Sequence, residues 1–113
     1  MKGMGMDKEM LLVRIYLSEA DQGRRRNLLD EVMELLHDKY RVHGVTVFRG
    51  IAGFGAKGVV RSADLLRLAQ RLPLVVEFFD EPAVVQEALK ALDTLLPSGH
   101  IISWPVTTRI LTK

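Results

Sequence analysis

Twice along the chain the hydrophobic period changes from that of a strand to that of a helix. In Met10-Leu-Leu-Val-Arg-Ile-Tyr-Leu17 the residues alternate: Leu11, Val13, Ile15 and Leu17 share one face, Arg14 and Tyr16 the other. Ser18–Gly23 is a turn. Residues 25–40 then carry an apolar stripe of Leu28, Leu29, Val32, Met33, Leu35 and Leu36 at helical spacing. Gly44 is the next turn residue, and the β-branched run Val45–Arg49 is a second strand. The pattern returns at Leu72–Asp80, a strand apolar on both faces, with Leu74, Val76 and Phe78 opposite Val75, Glu77 and Phe79. Pro82 suits the first turn of a helix, where its missing N–H has no partner to lose. The stripe of that helix runs from Val84 to Leu96, and Pro97-Ser98-Gly99 stops it. His100–Leu111 is a last strand, and Pro105 within it implies an edge or a bulge.

Two β-α-β units in series predict an α+β ferredoxin-like βαββαβ sandwich. A four-stranded antiparallel sheet carries two helices on one face. With 113 residues there is one domain, taken here as residues 9–113 behind a loose tail of residues 1–8. The opposite sheet face carries Met10, Leu12, Tyr16, Phe48, Val75 and Phe79. A monomer would leave them as a large apolar patch, so packing of sheet face against sheet face in an oligomer is expected.

Composition removes several classes of function. There is no cysteine, hence no disulfide, thiolate metal site or cysteine nucleophile. Sixteen basic and fourteen acidic residues leave a charge of +2, too small for a nucleic-acid signature. Arg24-Arg25-Arg26 reads as a solvated face. The N-terminus lacks the apolar stretch of a signal peptide, and no apolar run approaches a membrane span. The expectation is a cytoplasmic protein with no membrane insertion.

Four of the nine glycines lie between Gly50 and Gly58. Gly53-Phe54-Gly55-Ala56-Lys57-Gly58 matches G-x-G-x-x-G, but it does not open a long helix in a parallel unit, so a dinucleotide fold is excluded. A short helix is expected only later, from Ser62 to about Gln70. Two readings of the glycine segment stay open. Its backbone N–H groups can approach an anion closely with Lys57 adding charge, or it is a turned loop without a ligand. Arg49 can contact a phosphate bidentately, or form a surface ion pair with Glu77 of a neighbouring strand. Glu19 and Asp21 are either an acid–base or cation-binding pair, or turn and capping residues. Glu34–His37 is a single E-x-x-H without the second copy of a di-iron site, and His43 and His100 lack metal-ligand spacing; no metal site is expected.

Three stretches resemble the family called domain of unknown function 190, which are small PII-like proteins. They are Tyr16–Asp21, Gly44–Gly55 and Leu72–Asp80, and Arg49-Gly50-Ile51-Ala52-Gly53-Phe54-Gly55 is the most specific part. The resemblance covers about residues 9–112. It implies a homotrimer that binds an adenine nucleotide in clefts between subunits, with no certain cofactor, and that regulates a transporter or enzyme through the 50–71 loop. The implied ligand-binding residues are Arg49, Gly50, Gly53, Phe54, Gly55, Lys57, Gly58, Gly99 and His100, with Glu19 and Asp21 beside them and no catalytic residue. The chain also departs from PII proteins. Ala56 stands in a loop one residue shorter, without the PII glutamine that helps hold magnesium and 2-oxoglutarate. His100 stands where lysine is usual, and Leu111 where an arginine is. The alternatives are a protein assembly module without a small ligand and a small enzyme using Glu19 and Asp21.

Overall fold

The computed structural model describes residues 6–19, 21, 23, 27–54, 60–62, 72–96 and 100–111. The elements in chain order are β1 (Met6–Ser18), α1 (Leu28–Glu34) continuing into a π-helical turn (Leu35–Lys39), β2 (Gly44–Arg49), β3 (Ala52–Phe54), β4 (Val60–Ser62), β5 (Pro73–Asp80), α2 (Pro82–Leu95) and β6 (His100–Ile110). The main sheet has the order β2-β5-β1-β6 and is antiparallel throughout. This is the βαββαβ arrangement that the two changes of period predict. β3 and β4 form a separate small hairpin in the excursion between β2 and β5.

The alternation in β1 places Val13, Ile15 and Leu17 against the helices. The register aligns them with Phe78, Val76 and Leu74 of β5. These residues, with Leu28, Val32 and Leu36 of the first helical stretch and Val85, Ala88 and Leu92 of α2, are the core. Burial of such side chains contributes about 1.5–3 kcal/mol each and drives the assembly of the two layers. Asn27 caps α1, its Oδ1 accepting from Leu29 N at 2.8 Å. Pro82 takes the first turn of α2.

Two expectations are corrected. β1 begins at Met6, so Met6, Asp7 and Lys8 are strand and not tail: they pair with Ile110, Arg109 and Thr108 of a β6 long enough to reach them. Gly44 opens β2, and the positive φ before it belongs to Arg41. Ser62 closes β4, and the helix expected from it to about Gln70 lies outside the described residues. Pro105 does lie on an edge strand, where a missing N–H costs the sheet little.

Candidate functional site

The antiparallel order gathers the ends of all four strands that bear candidate residues. β1 ends at Ser18, β2 ends at Arg49, β5 begins at Pro73 and β6 begins at His100, which pairs with Tyr16. The segment between Gly50 and Leu72 leaves and returns at this same end. Its two roots are bonded to the sheet: Gly50 N donates to Pro73 O at 2.8 Å, and Glu19 N donates to Leu72 O at 3.0 Å. Gly50 is required by space. A Cβ there would lie 2.7 Å from Pro73 Cγ.

Arg49 and Glu19 meet across β5, which lies between their strands. Arg49 Nε donates to Glu19 Oε1 at 2.8 Å, and Nη2 donates to Oε2 at 3.0 Å. This fork-to-fork geometry is the strongest form of an arginine–carboxylate contact. The expected pair of Arg49 with Glu77 is therefore corrected. Odd-numbered positions of β2 and β5 point to opposite faces under their register, so Arg49 and Glu77 cannot meet. Glu77 instead accepts from Arg14 Nε at 2.7 Å.

Asp21 has a local task. Its Oδ2 accepts from Ser18 N at 2.8 Å, while its own N donates to Ser18 O at 3.0 Å. Asn27 Nδ2 donates to Glu19 O at 3.4 Å. Glu19 and Asp21 thus share a turn but not a catalytic arrangement: one carboxylate faces Arg49 and the other closes the turn. Gly53 and Phe54 lie in β3, paired with Arg61 and Val60. Gly55, Lys57, Gly58 and Gly99 lie outside the described residues. Among the described residues no group of three or more His, Asp or Glu is arranged to hold a metal ion.

Two clusters escape sequence reasoning. Asp80, only 4% exposed, is the one buried charged residue among those described. It accepts from Glu81 N at 2.7 Å and from His43 N at 2.9 Å, with His43 Nδ1 3.1 Å away. His43 also stacks on Phe79, with ring centroids 6.1 Å apart. An aspartate just before a helix-opening proline is a local signal, but nothing local announces His43. The second cluster lies on the sheet face away from the helices. Arg14 is bonded to Glu77 and lies over the Trp104 ring, 5.6 Å from its centroid. The hydrogen bond with Glu77 raises the Arg14 pKa above its already high ordinary value. Tyr16, Phe48, Ile102 and Trp104 are exposed around this pair. Met10 also takes a position on this face, beside Val106 of β6, but is buried. A groove of about 320 Å³ on the helical side, lined by Glu31, Glu34, Leu35, Asp38, Lys39 and Leu95, contains none of the candidate residues.

The family model described as DUF190, Uncharacterized ACR, matches residues 10–108. The chain belongs to the DUF190 family. A UPF0166 protein of Methanocaldococcus jannaschii, MJ1524, is 29% identical over 91 residues, 80% of this chain and 82% of the relative. A UPF0166 protein of Aquifex aeolicus is 32% identical over 81 residues, 72% of this chain and 76% of the relative. The fold is that of PII-like proteins. CPII, a nitrogen regulatory PII-like protein from Thiomonas intermedia K12 solved with ADP, AMP and bicarbonate, superposes with a TM-score of 0.67 at 14% identity, covering 95% of this chain and 92% of CPII. A PII-like protein from Thermus thermophilus gives 0.59 at 17% identity, covering 93% of this chain and 92% of that protein. Among the described residues no helix is long and apolar enough to cross a membrane.

Proposed function

We propose that this DUF190 chain is a regulatory subunit that binds an adenine nucleotide at the end of the sheet where β1, β2, β5 and β6 meet the glycine-rich segment. The observation that carries this reading is the convergence of Arg49, Gly50, Glu19 and the start of β6 at the roots of that segment. An arginine fork and closely approaching glycine backbone are the elements that recognise phosphate. CPII, which shares the fold, was solved with ADP and AMP. The unit is a homotrimer in the cytoplasm whose uncovered sheet faces pack together, with the nucleotide in the clefts between subunits. Nucleotide occupancy gives the 50–71 segment two surface states, one of which docks on a transporter or enzyme. The protein acts by binding and not by catalysis, a reading supported by the engagement of Asp21 with Ser18 in the turn and of Glu19 with Arg49 of β2.

Isothermal titration with ATP, ADP, AMP and cyclic AMP tests the reading. Saturable binding of at least one, weakened by Arg49→Met, is expected. No binding of any of them at about millimolar concentration would leave the second reading, a protein assembly module without a small ligand. The observation that favours that module is the exposed set Tyr16, Phe48, Ile102 and Trp104, which calls for a protein surface whether or not a nucleotide binds.

A further inference from the structure

Glu19 and Arg49 are held for each other from both sides. The turn that carries Glu19 is fixed by the bond of its N to Leu72 O, by Asn27 on its O and by the reciprocal Ser18–Asp21 bonds. The backbone after Arg49 is fixed by Gly50 N on Pro73 O. The side chains then reach each other over β5, joining two strands that are not neighbours in the sheet. Glu19 is 21% exposed and Arg49 is 57% exposed, so the pair is open to a ligand arriving from solvent. A guanidinium offers its Nε and Nη edge to a carboxylate or to a phosphate in the same geometry, and one edge cannot serve both.

We infer that Glu19 is an internal competitor for the anion site, a carboxylate that occupies the Arg49 fork until a phosphate group displaces it. The inference rests on the nucleotide reading above and adds to it a residue that sets affinity and selectivity. A ligand must present an anion strong enough to replace a bidentate carboxylate, so a diphosphate is favoured over a monophosphate or a neutral nucleoside. Displacement also frees Glu19 from β2. The bond that ties β1 to β2 across β5 is then broken at the roots of the glycine-rich segment, which links occupancy to the geometry of those roots. A partly exposed ion pair is weak, so the competitor moderates binding without preventing it.

A double-mutant cycle tests this, with ADP and inorganic pyrophosphate as the titrants on the full chain. Glu19→Gln keeps the shape of the side chain and removes its charge. It is expected to tighten ADP binding about three- to tenfold, the range that a partly exposed bidentate pair commands. Arg49→Met is expected to weaken ADP binding, and in that background Glu19→Gln is expected to change nothing, because the competitor has lost what it competes for. Glu87→Gln, on the outer face of α2, controls for net charge and is expected to leave affinity unchanged. Thermal unfolding of each variant reports whether the fold is retained. Equal ADP affinity of Glu19→Gln and wild type would overturn the competitor while leaving the nucleotide reading standing. Tightening of the same size with and without Arg49 would also overturn it, since Glu19 would then act as a repelling charge only. If wild type binds neither titrant and Glu19→Gln binds pyrophosphate, the moderating competitor is overturned, since the carboxylate would then prevent binding; if neither protein binds either titrant, both the competitor and the nucleotide reading fail.

Discussion

Two single residues carry more of the structure than their size implies. At Gly50 the constraint is space, since a methyl group there would meet the Pro73 ring at 2.7 Å. The ring cannot rotate away as a flexible side chain would. Gly50→Ala is therefore expected to cost about 1–3 kcal/mol in urea unfolding, the usual penalty of overpacking. At Asp80 the constraint is charge, since a nearly buried carboxylate accepts from two backbone N–H groups and lies beside the His43 ring. Asp80→Ala leaves those donors without their acceptor and is expected to cost about 1.5–3 kcal/mol. Asp80→Asn, which keeps one acceptor oxygen, should lose less by the same measurement.

Among the elements, β5 is the most demanding. It lies between β1 and β2, buries Leu74, Val76 and Phe78 on its helical face and holds Glu77 on the other. Phe78→Ala, at a fully buried position, is expected to destabilise the protein by about 3–5 kcal/mol in denaturant unfolding. This strand also shows how much the sequence reveals. Its faces are legible because alternation is a local property with a period of two. Its long-range contacts are not. Arg49 and Glu19 are 30 residues apart and meet only because strand order and register place both at one end of the sheet, on the helical side. A reading confined to neighbouring strands assigns Arg49 to Glu77, which the parity of the register forbids. The extension of β1 back to Met6 was illegible for the same reason: Met6-Asp7-Lys8 has no strand pattern of its own and follows the length of β6. For the candidate site, the residue types and the glycine segment were legible. The turn role of Asp21 is one of the two readings the sequence offers, whereas the engagement of Glu19 by Arg49 is not legible, since it depends on strand order across 30 residues.

For the whole molecule, the decisive feature is a sheet whose two described helices both lie on one face. Tyr16, Phe48, Ile102 and Trp104 surround the Arg14–Glu77 pair on the other. The charges of that pair are matched within one chain, so the second copy of the proposed assembly need supply only apolar surface. Ile102→Glu or Trp104→Glu, each placing an unmatched charge on this face, is expected to shift sedimentation toward the monomer at micromolar concentration. A wild-type chain that sediments as a monomer there would contradict the assembly. The proposed function turns on a narrower point, the reading of a nucleotide phosphate at the strand ends, where Arg49 and the roots of the glycine-rich segment meet. A crystal structure of the protein grown with ADP decides it. Density for the diphosphate is expected within hydrogen-bond distance of the Arg49 guanidinium, at the end of the sheet where β6 begins. ADP bound elsewhere on the molecule, with the strand ends unchanged and empty, would refute it.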